Sequence, residues 1–255
     1  MPDVAALDNR ASGAFVLSFM SFLGLLMLDT RFPRIAGDVG HPATFDFPVR
    51  QQIVRGASPA RVVRERDATL LQPFIEAGRA LVADGAAAIA TSCGFLALFQ
   101  RELQAALPVP VWTSSLLLLP EAALALQSCF TGRCAGVVTV DAASLSADHL
   151  RAVGADPATP IEGLAPGSSL QRSLLEDLPT LDRAAAEREV VAAALRLVRR
   201  DPRVGAIVLE CTNMPPYAAA VRAATGLPVH DITTLLNSRW AALNAALAAQ
   251  QAEAP

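Results

Sequence analysis

The chain has 255 residues and a net charge of -3; 53% of the residues are hydrophobic and 18% charged, a balance that fits a compact protein with a substantial core and excludes a disordered one. Charges are mixed along the chain with no basic stripe, which argues against a nucleic-acid surface and for a small-molecule partner. All 21 positive charges are Arg, so the chain has neither the Schiff-base amine that pyridoxal phosphate needs nor the lysine of a P-loop.

In chain order, residues 1–19 read as an extension outside the fold, with Met20 a candidate start. The apolar stretch Ala14 to Leu28 is interrupted by Ser18, Ser21 and Gly24. It is shorter than the roughly 20 residues that cross a bilayer and lacks the flanks of a signal peptide; no membrane association and a cytoplasmic location are expected. Short apolar runs then alternate with helix-patterned stretches, the signature of an α/β protein with parallel strands. The expected strands are Leu23–Leu28, Val49–Val54, Ala87–Thr91, Val109–Trp112, Gly136–Val140, Val204–Leu209 and Val229–Ile232. The expected helices are Ala68–Asp84, Leu96–Leu107, Leu116–Gln127, Ala147–Val153, Ala184–Arg199, Tyr217–Thr225 and Leu235–Gln250.

An internal echo organises these elements. One apolar run ends at Cys93 and another at Cys211; each is followed by a helical stretch and then a Pro-Val pair. Pro110 follows Cys93 by 17 positions (110 − 93) and Pro228 follows Cys211 by the same interval (228 − 211). Two strand–Cys–helix–strand units imply a duplicated fold, with each Cys at the carboxyl end of a parallel strand, where open α/β sheets bind ligands. We expect an N-terminal lobe over residues 20–120, a C-terminal lobe over 121–234, and the helix at 235–250 packing back on the first.

Two thiols facing one cleft suit proton transfer at carbon, since one can remove a proton while the other delivers one. Each Cys precedes an expected helix, whose amino-terminal dipole should lower the thiol pKa. Thr91, Ser92, Thr212 and Asn213 flank the two cysteines and, with backbone amides, offer donors for a carboxylate or an enolate-like intermediate. The remaining Cys129 and Cys134 read as core fillers. Among the three His, His41 reads as a loop residue or a cover over the cleft, and His230 as an interior strand residue. Neither CxxC nor HExxH occurs, so no metal site is expected.

Ser-Cys-Gly after one strand, Glu-Cys-Thr-Asn after a later one and an early Asp-Thr after the first strand together resemble the aspartate/glutamate racemase superfamily, over about Leu23 to Leu247. The resemblance implies two Rossmann-like α/β domains related by pseudo-twofold symmetry with the active site between them, no cofactor, and a homodimer. By motif it makes Cys93 and Cys211 catalytic and matches Asp29, Thr30 and Thr212 to substrate-binding positions. Cys93-Gly94-Phe95 stands where glutamate racemases have Cys-Asn-Thr, and Asn213 where they have His; both departures lead away from glutamate as substrate. The expected substrate-holding set is Asp29, Thr30, Thr91, Ser92, Gly94, Thr113, Ser114, Thr212 and Asn213, with Asp29 alternatively a loop cap and Thr113 and Ser114 alternatively helix N-caps. Arg31 and Arg34 would attract an anion or only decorate a loop. The expected activity is cofactor-independent racemisation or epimerisation of a small carboxylate or amino-acid-like compound. Maleate-type isomerisation, malonate-type decarboxylation and non-catalytic metabolite binding remain as alternatives.

Overall fold

The computed structural model describes residues 21–129 and 132–253; the extension expected over residues 1–19 lies outside them. Two four-stranded, all-parallel sheets carry the fold. The first is built from β1 (Phe22–Leu28), β2 (Val49–Val54), β3 (Ala86–Thr91) and β4 (Val111–Trp112) in the order β2-β1-β3-β4. The second uses β5 (Cys134–Thr139), β6 (Ile161–Gly163), β7 (Val204–Leu209) and β8 (Val229–His230) in the equivalent order β6-β5-β7-β8. The duplication extends to register. Ile89 pairs with Val111 as Ile207 pairs with Val229, and the β1–β3 and β5–β7 ladders both shift register at their first pair.

Central strands of such sheets are buried on both faces and therefore read as continuous apolar runs. In β1, Phe22, Leu26 and Leu28 enter the main core while Leu23, Leu25 and Met27 face a second one. That second core is closed by Ile232, Leu235, Leu236 and Trp240 from the long helix α8 (Ile232–Glu253). The main core is filled by α1 (Leu71–Ala83) and α2 (Gln100–Ala106) from one lobe, with α3 (Leu119–Cys129), α4 (Ala147–Ala152), α5 (Ser169–Leu175), α6 (Arg183–Arg200) and α7 (Ala218–Thr225).

Each edge strand begins immediately after a proline. The carbonyls of Pro48, Pro110, Pro160 and Pro228 accept hydrogen bonds from Leu23, Ile89, Val137 and Ile207 at 2.9, 2.9, 2.8 and 2.9 Å. A proline can accept but not donate, so it is tolerated only at a strand's start or on an edge. This rule accounts for the main differences from expectation. The strand anticipated at Val109 starts after Pro110, and β6, which the sequence reading missed because it is three residues long, follows Pro160 in the same manner. The strand anticipated through Ile232 ends at His230, because the Asp231 carboxylate accepts from the Thr234 amide (2.9 Å) and so caps α8. Helix α5 and the π-helical turn Ala60–Arg64 were also unanticipated. Several expected helices open with a 3₁₀ turn, as at Gly94–Phe99 and Ser115–Leu118.

Candidate active site

The site is assembled where β3 and β7 end. Beyond β3 the chain stays extended through Cys93 (φ -150°, ψ 120°) before the 3₁₀ turn at Gly94. Ser92 is held from both sides: its amide donates to the Leu26 carbonyl and its Oγ accepts from the Leu28 amide, each at 2.9 Å. Beyond β7 the Glu210 amide donates to the Val138 carbonyl at 2.8 Å, and Cys211 follows. Thr212 then donates its hydroxyl to the Ser92 carbonyl at 2.6 Å, and Ser115 donates to the Leu209 carbonyl at 2.7 Å. The two cysteine-bearing turns are therefore tied directly to each other.

Between them lies a small pocket lined by both thiols, by Ser92, Gly94, Glu210, Thr212 and Asn213, and by an apolar wall that includes Leu28, Phe32, Val63, Phe95, Val140, Leu174 and Leu175. Phe32 follows β1, Val63 comes from the π-helical turn and Leu174 and Leu175 from α5, so both lobes supply the wall.

Of the residues expected to hold substrate, Ser92, Gly94, Thr212 and Asn213 line this pocket with Cys93 and Cys211, and the others take structural positions. Asp29 is exposed and its carboxylate accepts from the Gly56 amide (3.2 Å). Thr91 donates to the Thr113 carbonyl (2.6 Å), Thr113 donates to Gln100 Oε1 (2.6 Å), and Ser114 caps the turn at Ser115 by accepting from the Leu116 amide (3.2 Å). Thr30 accepts from Arg34, whose guanidinium also pairs with Asp38 at 3.1 Å. Asp38 accepts from the Asn213 amide group, and Asn213 Oδ1 faces Cys211 Sγ at 3.5 Å. Arg34 is thus engaged by a buried carboxylate. Arg31 instead pairs with Asp177 at 3.2 Å. His41 lies in a turn, where its Nδ1 accepts from the Ala43 amide (3.2 Å), and His230 is half-buried in β8, which holds its pKa below the usual value. Cys134 is a free, half-buried thiol at the start of β5.

The thiols are not activated in the way a helix dipole suggested. Burial, reinforced by the Glu210 carboxylate, pushes Cys93 up to about 12 against the opposing backbone amides of Phe95 and Leu96. Burial and Glu210 also raise Cys211 well above its ordinary value, with the Asn213 amide opposing. The helical turns that follow are short 3₁₀ segments, and their few amides do not offset the loss of water around an anion.

Glu210 is the residue that sequence reasoning passed over. It is 0% exposed, its Oε2 accepts from Thr139 at 2.7 Å, and its Oε1 has no partner. Burial raises its pKa to about 7, against the Thr139 hydrogen bond, which favours the ion. It is the sole charged side chain among the described lining residues. A carboxyl directly after the apolar run Val204–Leu209 was the available signal. Among the described residues no group of three or more His, Cys, Asp or Glu is placed to hold a metal ion, and no helix is long and apolar enough to cross a membrane.

No protein-family model matches the sequence. Among solved structures, the chain is similar to allantoin racemase from Klebsiella pneumoniae (TM-score 0.58, 17% identity, 88% of each chain). It is also similar to a structure from Yersinia pestis described as that of an Asp/Glu racemase (TM-score 0.55, 15% identity, 89% of this chain and 100% of the other), and to unliganded arylmalonate decarboxylase (TM-score 0.52, 17% identity, 82% and 86%). These likenesses establish the fold, which the chain shares with these racemases and the decarboxylase. Curated relatives are more similar in sequence. The chain is 32% identical over 237 residues to dimethylsulfoniopropionate lyase 7 of Emiliania huxleyi, covering 87% of this chain and 67% of that protein. It is 30% identical over 234 residues to the dimethylsulfoniopropionate lyase of Durusdinium sp. clade D, covering 82% and 70%.

These relatives overturn the expected reaction. Racemisation or epimerisation, and with it the isomerase class, gives way to a lyase family, as do the alternatives of maleate isomerisation, malonate decarboxylation and non-catalytic binding. The physical reason is that the expectation rested on a strand-end thiol pair, which in chemical terms suits removal of a proton from carbon. It does not encode whether the resulting electron pair is reprotonated or expels a β-substituent. With a fold shared with allantoin racemase and arylmalonate decarboxylase, the chain belongs to the family of the dimethylsulfoniopropionate lyases.

Proposed function

We propose that this protein is a lyase that cleaves dimethylsulfoniopropionate, or a closely related 3-sulfoniopropionate, into acrylate and a neutral sulfide. The observation that carries this reading is the composition of the pocket: two thiols beside an apolar wall with two phenyl rings and one carboxyl, in a chain whose curated relatives are lyases of that compound.

The reaction needs a base at the carbon next to the carboxylate and a site that accepts a positively charged, methyl-bearing sulfur. Cys93 is assigned as the base, because it is half-buried whereas Cys211 is buried. Its thiolate takes the α-proton, the C–H electron pair becomes the second bond between Cα and Cβ, and the Cβ–S bond breaks with its pair going to sulfur. Acrylate and dimethyl sulfide leave, and the proton on Cys93 returns to solvent. Since the sulfide departs neutral, no acid is needed at the leaving group. Cys211, hydrogen-bonded to Asn213, closes the opposite side of the pocket and fixes the substrate's orientation. Phe32 and Phe95 receive the sulfonium methyls, as aromatic faces receive onium ions, and backbone amides of the two cysteine turns receive the carboxylate.

A raised thiol pKa fits a cationic substrate. A bound sulfonium offsets part of the penalty on a buried anion, so the thiolate becomes accessible when substrate is present. The test is incubation of purified protein with dimethylsulfoniopropionate, following acrylate by NMR and dimethyl sulfide in the headspace. Equimolar formation of both supports the reading; intact substrate after prolonged incubation overturns it.

A further inference from the structure

Glu210 has no role in the chemistry just given, yet a buried, half-satisfied carboxyl costs stability and is seldom kept without compensation. Its surroundings are specific. Thr139, on β5, donates to Oε2 at 2.7 Å. Oε1 is buried without a partner and is pressed against Gly94, where even a methyl group would approach it to 2.1 Å. Cys93 lies in that turn and Cys211 is the next residue, so the carboxyl sits at the junction of the two thiol-bearing turns. Among the described residues no salt bridge engages Glu210, and Arg34 is taken by Asp38 and Thr30.

An apolar pocket whose sole charged lining residue is a carboxylate is a site for a cation. Resting on the lyase reading, we propose that Glu210 is the counter-charge of the substrate's onium group and determines that the pocket takes 3-onio-propionates in preference to uncharged propionates of the same shape. Cys93 removes the proton, Cys211 orients the substrate, and Glu210 supplies discrimination for charge.

The consequence for pH follows from the groups around Glu210. Cys93 and Cys211 are protonated near neutrality, and Arg34 and Asp38, from the segment after β1, neutralise each other. Tyr217, from the turn before α7, is raised to about 12 and stays neutral. Glu210, raised to about 7, is then the group whose charge changes in the neutral range. Cation preference should be full above pH 8 and fade as the pH falls below about 7.

The experiment uses two non-eliminating ligands of matched shape, 3-(trimethylammonio)propanoate and 4,4-dimethylpentanoate, titrated calorimetrically into the full-length protein at pH 8.5 and pH 5.5. The wild type should bind the cationic ligand at least tenfold more tightly at pH 8.5 and lose most of that preference at pH 5.5. Glu210→Gln should bind the two ligands within about threefold of each other at both values. Thr139→Val keeps the carboxyl but removes the hydrogen bond that favours its ion, so the preference should fade at a higher pH than in the wild type. This second variant decides the matter if Glu210→Gln fails to fold. A wild type with no preference, or with no affinity for either ligand, overturns the proposal, and so does a Glu210→Gln protein that keeps the preference. Because neither ligand reacts, these outcomes stand apart from the assay for sulfide release, which tests the lyase reading itself.

Discussion

Thr212 donates its hydroxyl to the carbonyl of Ser92 at 2.6 Å, joining the residue after one pocket thiol to the residue before the other. Both partners are buried, Thr212 at 1% and Ser92 at 3% exposure, so the bond sets the spacing of the two turns with little competition from water. Thr212→Val removes the donor and leaves the Ser92 carbonyl unsatisfied. A loss of about 1–3 kcal/mol, or a fall in Tm of several degrees, is expected in thermal denaturation, with a parallel fall in kcat. Thr212→Ser, which keeps the hydroxyl, should recover most of both.

Gly94 is required by space. A Cβ there would lie 2.1 Å from Glu210 Oε1 and 2.4 Å from the Glu210 carbonyl oxygen, and the second contact is with backbone that cannot swing aside. Overpacking of this kind costs about 1–3 kcal/mol. Gly94→Ala should therefore lower Tm and, by moving the thiol turns apart, reduce kcat/KM by roughly two orders of magnitude; steady-state rates with denaturation curves check both.

Glu210 makes a prediction for stability with a definite sign. Its pKa is raised in the folded protein from 4.5 to about 7, so folding favours the neutral acid. The associated stability is fully present below the unfolded value and is lost as pH rises through the folded one. Glu210→Gln cannot ionise. Relative to wild type it should gain up to about 3 kcal/mol between pH 4 and pH 8, measured as the difference in urea unfolding free energy at the two pH values. Equal pH dependence of wild type and variant would show that Glu210 is ionised without penalty.

Asp177 fastens one wall of the pocket. It holds φ +53°, an uncommon conformation for a non-glycine residue. Its carboxylate accepts from the amides of Arg31 and Phe32 at 2.6 and 3.2 Å, drawing the Phe32 segment toward the end of α5, which carries Leu174 and Leu175. Asp177→Ala should raise KM by roughly tenfold, the equivalent of one lost charged hydrogen bond, with a smaller change in kcat. Asp148→Ala, which breaks an exposed pair with Arg151 (2.8 Å), should leave both parameters near wild type.

Much of this architecture was legible in the sequence because repetition carries information that single segments do not. The matched intervals from Cys93 to Pro110 and from Cys211 to Pro228 anticipated two equivalent units, and in the structure the two prolines begin equivalent edge strands. The same proline rule would have located β6 at Pro160, but three residues with a lone strong apolar side chain, Ile161, give no periodicity to read. The pocket residues Ser92, Gly94, Thr212 and Asn213 were found because they adjoin the cysteines. Phe32, Leu174 and Leu175 were not, because only the tertiary fold brings them near. Thr91 and Thr113 carry hydroxyls that the fold spends on its own carbonyl and amide groups, a distinction invisible to residue type. The thiol motif does not distinguish a racemase from a lyase, and the lyase family came from relatives.

The most direct test of the account is the yield of acrylate and dimethyl sulfide from dimethylsulfoniopropionate by the wild type, Cys93→Ala and Cys211→Ala at pH 8. We predict equimolar products from the wild type, a loss of about 10²–10⁴-fold in Cys93→Ala, the range expected for removal of a general base, and a smaller loss in Cys211→Ala. Wild-type rates in Cys93→Ala, or no sulfide from the wild type, would contradict elimination by a thiol base in this pocket.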